Sequence, residues 1–161
     1  MRLLVLLVGF GVFTTVFAPA FIPAFISAFI PTASAQQLPR TELSAGVHLI
    51  RAEVADNFGT RMQGLMHRKS MGANEGMLFI FDEAGIQCMW MKNTLIPLSV
   101  AYIADDGSIV NIEDMKPQTE DSHCTKKPVR FALEMNLGWF ESKGLRAGSK
   151  LRGLEKFRPR S

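Results

Sequence analysis

The sequence predicts a mainly β domain, an antiparallel sandwich or partly open barrel with two short helices. Three observations lead there. Short apolar or alternating runs recur between close turn signals, as at 77–81, 98–104 and 128–136. Asp105-Asp106-Gly107 stands between two such runs as a tight hairpin signal. Helical spacing is confined to two brief stretches, too short for a doubly wound α/β fold.

The chain opens Met1-Arg2 and then carries no charge from residue 3 to 30. Ala33-Ser34-Ala35 follows, a small-x-small triplet of the kind signal peptidase cuts. Pro19, Pro23 and Pro31 interrupt the apolar run and oppose a straight membrane-spanning helix. A retained anchor is the alternative, since the run is long enough to cross a bilayer. The expectation is a signal peptide over 1–35, cleaved after Ala35, and a periplasmic or secreted protein. It would meet the membrane only through that segment, before cleavage. A lead-in (36–46), one β-rich domain (47–154) and a basic tail (155–161) complete the chain.

The 161 residues carry a formal charge of +3. Much of the excess is late, at Arg146, Lys150, Arg152, Lys156, Arg158 and Arg160. A solvated end accounts for it, and a nucleic-acid partner is out of place in an exported protein. Cys88 and Cys124 are the only cysteines. In an oxidising compartment such a pair reads as a structural disulfide. Closing that loop favours the bridged form by about 3.5–4 kcal/mol on the chain-entropy estimate. A Cys-x-x-Cys redox motif is absent.

Taken in order, 47–54 alternates as a strand, with His48, Ile50, Ala52 and Val54 on one side. Thr60 caps a short helix over 61–67, in which Met62, Leu65 and Met66 share a face. Gly64 inside that helix costs about 1 kcal/mol relative to alanine and points to close backbone approach. Residues 77–81 are uniformly apolar, a strand covered on both faces, and 82–85 form a turn. Residues 86–103 form a nearly uninterrupted apolar run, cut in two by Lys92-Asn93-Thr94. Two neighbouring strands, 86–91 and 98–104, meeting at that exposed corner are the expectation, with Pro97 at a strand start or edge. Over 128–136, Val129, Phe131, Leu133 and Met135 point inward. Arg130, Ala132, Glu134 and Asn136 then point outward or toward a cleft. Asn136 caps a second helix over 137–143, ended by Gly144, and 150–154 make the last strand.

One series of residues is distinctive. Arg61-Met62-Gln63-Gly64-Leu65-Met66-His67-Arg68 is followed by Gly76-Met77-Leu78-Phe79-Ile80-Phe81 and by Met89-Trp90-Met91-Lys92-Asn93-Thr94 with Pro97-Leu98. Leu133-Glu134 and Gly148 complete it. The series resembles the family called domain of unknown function 192, small and often exported bacterial and archaeal domains, over about 47–153. The resemblance implies a β-rich, sandwich-like fold and brings no catalytic residues. Met89 stands where the family more often has phenylalanine, and Cys88 and His123-Cys124 are additions to its pattern.

The residues themselves put forward a binding surface. Trp90, Lys92, Asn93 and Thr94 set an aromatic face beside an ammonium, an amide and a hydroxyl, which suits a small polar ligand or an envelope component. A loop satisfying its own backbone is the alternative. Arg61 and Glu134 are expected to pair and support this surface from beneath. A hydrolase or transferase acting on envelope carbohydrate or peptide is the main rival, yet no nucleophile, metalloprotease or paired-carboxylate signature is present. His123 in a turn-rich loop is expected to be exposed and to titrate near neutrality. A lesser reading is Cu(I) held by Met89 and Met91, since thioethers are soft ligands. No cofactor and no metal site are predicted.

Overall fold

A computed structural model describes residues 38–157. The segment expected as a signal peptide and the last four tail residues lie outside the described residues. The elements in chain order are β1 (Arg40–Ala45), β2 (His48–Ala55), α1 (Phe58–Gln63), β3 (Glu75–Gly85), β4 (Cys88–Met89) and β5 (Leu98–Ile103). They continue as β6 (Ile109–Met115), β7 (His123–Cys124), β8 (Val129–Asn136), α2 (Trp139–Ser142) and β9 (Leu151–Arg152), then a 3₁₀ turn at Glu155–Phe157. Seven strands form one mixed sheet, ordered β6-β5-β8-β3-β2-β1-β9 and curled into a half-barrel; β4 and β7 pair apart from it. Neighbours in the large sheet are antiparallel except β2 and β3. Residues 56–74, which contain α1, provide the long return that a parallel pair requires.

The segment expected as a lead-in contains β1. Its Leu43 and Ala45 are buried, and it pairs with β2 from Arg40↔Glu53 to Ala45↔His48. Pro39 does not prevent this, because it precedes the strand and its carbonyl accepts from the Val54 N–H at 2.8 Å. Strand β3 extends through Gly85, where a turn is expected, with a register shift between Ile80 and Gly85 that carries Asp82 and Glu83 away from the core. The two apolar runs on either side of Lys92-Asn93-Thr94 are not neighbouring strands. The first yields only the two residues of β4. The second becomes β5, buried along its whole length between β6 and β8.

Strand β8 lies between β3 and β5, so the expected inside–outside alternation becomes burial on both faces from Val129 to Met135. From Phe131 to Met135 the period of two still decides which core each side chain joins, while Val129, beyond the register shift, joins the second core. Phe131, Leu133 and Met135 pack with Leu78, Ile80, Trp139 and Phe140 on one face. Ala132 packs with Met77, Phe79, Val100 and Tyr102 on the other, the face to which Glu134 belongs. Leu154 is fully buried and Phe157 packs on the first core, so the start of the tail is part of the fold.

Both helices differ from expectation at their ends. Helix α1 begins one turn earlier, capped by Asn57: its Oδ1 accepts from the Thr60 N–H at 3.0 Å, and Thr60 Oγ1 accepts from the Asn57 N–H at 3.2 Å. Helix α2 is capped by Gly138 at φ +71°. Asn136 instead donates to the Gly72 carbonyl at 3.0 Å.

Candidate functional site

On the second face, the core is interrupted by a cavity of about 240 Å³. Strands β3 and β8 form its floor with Phe79 and Glu134. Helix α1 and its exit form one wall with Phe58, Arg61, Met62 and Met66. The other wall is Cys88, Met89, Trp90 and Thr94. Phe58 and Met62 are exposed at the rim, and Trp90 is 39 % exposed.

Two short sequences build these walls, and one hydrogen bond joins them. Gly64 ends α1 at φ +47°, and a β-carbon there would sit 3.3 Å from Phe79 Cζ. A side chain at that position would be strained and would press on the cavity floor. The close backbone approach expected of this glycine is therefore present, although at the helix end and not within it. The chain then turns so that the His67 N–H donates to the Asn93 carbonyl at 2.8 Å. Across the cavity, the Cys88–Cys124 disulfide bonds the facing residues of β4 and β7. The Tyr102 hydroxyl donates to the His123 carbonyl, tying that small sheet to β5.

Glu134 is the unusual group here. Only 5 % of it is exposed, and among the described residues nothing donates a hydrogen bond to its carboxyl or forms an ion pair with it. Burial alone pushes its pKa up to about 8, so near neutrality much of it is protonated. Its cross-strand neighbours, Met77 and Val100, are apolar. An unpaired carboxyl costs several kcal/mol to bury when charged.

The expected Arg61–Glu134 pair does not form. Arg61 donates to the Ile80 carbonyl at 2.7 Å, to the Asp56 carbonyl at 2.9 Å and to Asp82 Oδ2 at 3.2 Å. Its guanidinium also lies 5.7 Å from the centre of the Phe81 ring. The extension of β3 to Gly85 brings Asp82 within reach, while Glu134 stays on the floor. Arg61 and Glu134 thus line one cavity without pairing.

The Trp90–Thr94 surface divides in the same way. Trp90 and Thr94 face the cavity; Lys92 and Asn93 do not line it. Lys92 lies over the Trp90 ring at 5.2 Å and reaches Glu120 at 3.7 Å. Asn93 adopts φ +55° in the turn, and Thr94 Oγ1 donates to the Lys92 carbonyl at 3.3 Å. His123, expected in an exposed loop, is half-buried on β7, and its Nε2 is buried without a hydrogen-bond partner. Of the two methionines considered for Cu(I), Met89 lines the cavity and Met91 is fully buried in the core. Among the described residues, no group of three His, Cys, Asp or Glu side chains is placed to hold a metal.

The cavity-lining Phe58, Phe79, Phe81, Met62 and Met66 were not singled out from the sequence as site residues. A larger hollow of about 450 Å³ lies over Ser99, Asp114 and Phe140. Its central polar groups are already satisfied, since Ser99 donates to Asp114 and accepts from the Gly138 N–H. The smaller cavity, with its unpartnered acid, is the better candidate.

The DUF192 profile, described as "Uncharacterized ACR", matches residues 40–153. The chain belongs to the DUF192 family. Two solved structures are similar to it. One, a protein from Sinorhizobium meliloti 1021 described as a candidate transcription regulator, is 38 % identical, with a TM-score of 0.67 over 72 % of this chain and 93 % of its own. The other, a protein of unknown function from Novosphingobium aromaticivorans DSM 12444, is 28 % identical, with a TM-score of 0.70 over 84 % of this chain and 93 % of its own. No curated protein matches the chain. The DUF192 match spans both cavity walls, Glu134 and β9, and stops short of the 3₁₀ turn at Glu155–Phe157.

Proposed function

We propose that this DUF192 domain is a binding module, and that its cavity takes a small ligand with an apolar body and one polar end set against Glu134. The observation that carries the reading is the buried, unpartnered Glu134 carboxyl on the floor of an apolar cavity. Buried polar groups in folded proteins have partners with few exceptions, and the exceptions cluster where a ligand supplies the partner. Trp90 and Thr94 take part as cavity wall, while Lys92 and Asn93 shape the turn behind them. If the segment over 1–35 directs export, the ligand is a periplasmic or external small molecule, or the end group of an envelope component.

The hydrolase or transferase reading draws on the same protonated carboxyl as a general acid. Binding is preferred because most of the remaining lining is aromatic, thioether and aliphatic, its neutral polar side chains are only Gln63 and Thr94, and its one guanidinium is held by Asp56, Ile80 and Asp82. An apolar cavity with an acidic floor is also the wrong chemistry for a phosphate backbone. The description of the Sinorhizobium relative therefore gains no support from this site.

The test is a thermal-shift titration with six-carbon amphiphiles, hexanol and hexylamine, on the protein and on Trp90→Ala. A ligand present at about 100 times its dissociation constant adds about 2.7 kcal/mol of stability, a shift of several degrees. At least one amphiphile should raise the melting temperature of the wild type and have a smaller effect on Trp90→Ala. Equal shifts in both proteins, or none in either, would refute the reading.

A further inference from the structure

We infer that the cavity selects a primary ammonium group carried on an apolar chain, with the ammonium pairing to the Glu134 carboxylate. The inference rests on the binding reading above and names the ligand class for that same site. Glu134 presents two carboxyl oxygens with room for several donors, and no described residue fills any of them. An ammonium brings three N–H donors and the opposite charge; a hydroxyl brings one donor and none.

The surroundings favour a cation further. Phe79, Phe81 and Trp90 line the cavity, and aromatic faces attract cations. The protein's own cations near the site are engaged elsewhere. Arg61 on α1 is held by Asp56, Ile80 and Asp82, and Lys92 lies outside the lining with Glu120. On the strands paired with β8, the Tyr102 hydroxyl of β5 donates to the His123 carbonyl, while on β3 Glu75 accepts from the Gly72 N–H, Asp82 accepts from Arg61 and Glu83 is exposed. An anionic ligand would meet an acid on the floor, and among the described residues the cations lining or flanking the cavity, Arg61 and Lys92, are already engaged. Phe58 and Met62 at the rim extend the apolar surface outward, which suits the chain behind the ammonium.

The proton balance follows. Below the Glu134 pKa of about 8 the carboxyl is mostly neutral, so the incoming ammonium displaces one proton to solvent and an ion pair remains. Affinity for the amine should therefore tighten as pH rises, by up to about tenfold per unit, and level off above about pH 8. Hexanol, which carries no charge, should not show this tightening.

The experiment is isothermal titration calorimetry of the protein and of Glu134→Gln with hexylamine, hexanol and hexyltrimethylammonium. It is run at about pH 6 and about pH 8, in buffers of low and high ionisation heat, to count released protons. At about pH 8 the wild type should bind hexylamine at least tenfold tighter than hexanol. At about pH 6 it should release close to one proton per amine bound. Hexyltrimethylammonium, lacking N–H donors, should bind less well than hexylamine. Glu134→Gln, close in shape, should lose both the amine preference and the proton release. Equal binding of hexanol and hexylamine by the wild type, or an amine preference that survives in Glu134→Gln, overturns the ammonium inference and leaves the binding reading standing. Failure of all three compounds to bind overturns both.

Discussion

Glu53 and Glu134 occupy one row of the sheet. Glu53 of β2 pairs with Met77 of β3, and Met77 pairs in turn with Glu134 of β8. The two carboxylates are thus on the same face, roughly 10 Å apart by strand spacing, with one methionine between them. Their surroundings oppose each other. Glu53 accepts two bonds from Arg68, at 2.8 and 2.6 Å, and has Arg40 at 3.7 Å. The Arg68 hydrogen bonds hold its pKa below the usual carboxylate range. Glu134 has no partner, and burial raises its pKa to about 8. The same side chain is a structural clamp in one position and a vacant acceptor in the other. Glu53 is half-buried and paired, whereas Glu134 is buried and unpaired.

The largest expected effect comes from removing the solitary acid. The folded-state pKa of Glu134 lies above its ordinary value of 4.5, so its contribution to stability is intact below about pH 4.5 and is lost as pH rises toward about 8. Glu134→Gln removes that penalty. The variant should match the wild type near pH 4 and exceed it at pH 8, by about 2–4 kcal/mol on the linkage relation. Urea unfolding at the two pH values measures the difference. A variant less stable than the wild type at pH 8 would show that Glu134 holds a bond the apolar floor does not reveal.

The clamp should respond with the opposite sign. The lowered pKa of Glu53 means that its contribution is present above its ordinary value and is lost as pH falls through the folded-state value. Arg68→Ala leaves Glu53 with only the distant Arg40, and it should cost about 1–3 kcal/mol near neutrality, the range for hydrogen bonds to charged groups. The cost should shrink as pH falls below the ordinary carboxylate value of 4.5 and Glu53 protonates. If Arg68→Ala showed the same loss at pH 3 as at pH 7, the arginine would be acting through packing and not through charge.

How far the sequence discloses these two sites depends on the range of the interactions that make them. Strand β8, the buried run of β3, the β5–β6 hairpin and the cysteine pair are legible because alternation, turn residues and cysteine count act locally. Thr60 reads as the cap where Asn57 takes that place, and the apolar spacing of Met62, Leu65 and Met66 reads as helix past Gly64. There the positive φ ends α1. The β4–β5 pairing was misjudged because two adjacent apolar runs satisfy the same local rules whether they pair with each other or with distant strands. Glu134 and Trp90 are identifiable as candidates, yet their relation is not. Which cation a carboxylate meets depends on how far β3 runs and where α1 exits, and charge signs along the chain hold neither. The parallel β2–β3 pair, which sets Glu53 and Glu134 in one row, is likewise a product of the 56–74 return.

The smallest effect concerns Arg61, the residue whose partner the structure reassigns. Asp82 is largely exposed, and an exposed ion pair contributes at most about 0.5–1 kcal/mol. Asp82→Asn should therefore shift stability by less than about 1 kcal/mol, because the Ile80 and Asp56 carbonyls still hold the guanidinium from one side and the Phe81 face still packs against it. The sharper readout is the pH dependence assigned to Glu134. If main-chain carbonyls fix Arg61, the stability difference between pH 5 and pH 8 should be the same in Asp82→Asn as in the wild type. A smaller fall toward pH 8 in the variant would mean that Arg61, once released by Asp82, reaches the cavity floor and neutralises Glu134. The contrast between a clamped and a solitary glutamate would then depend on Asp82 holding the arginine away.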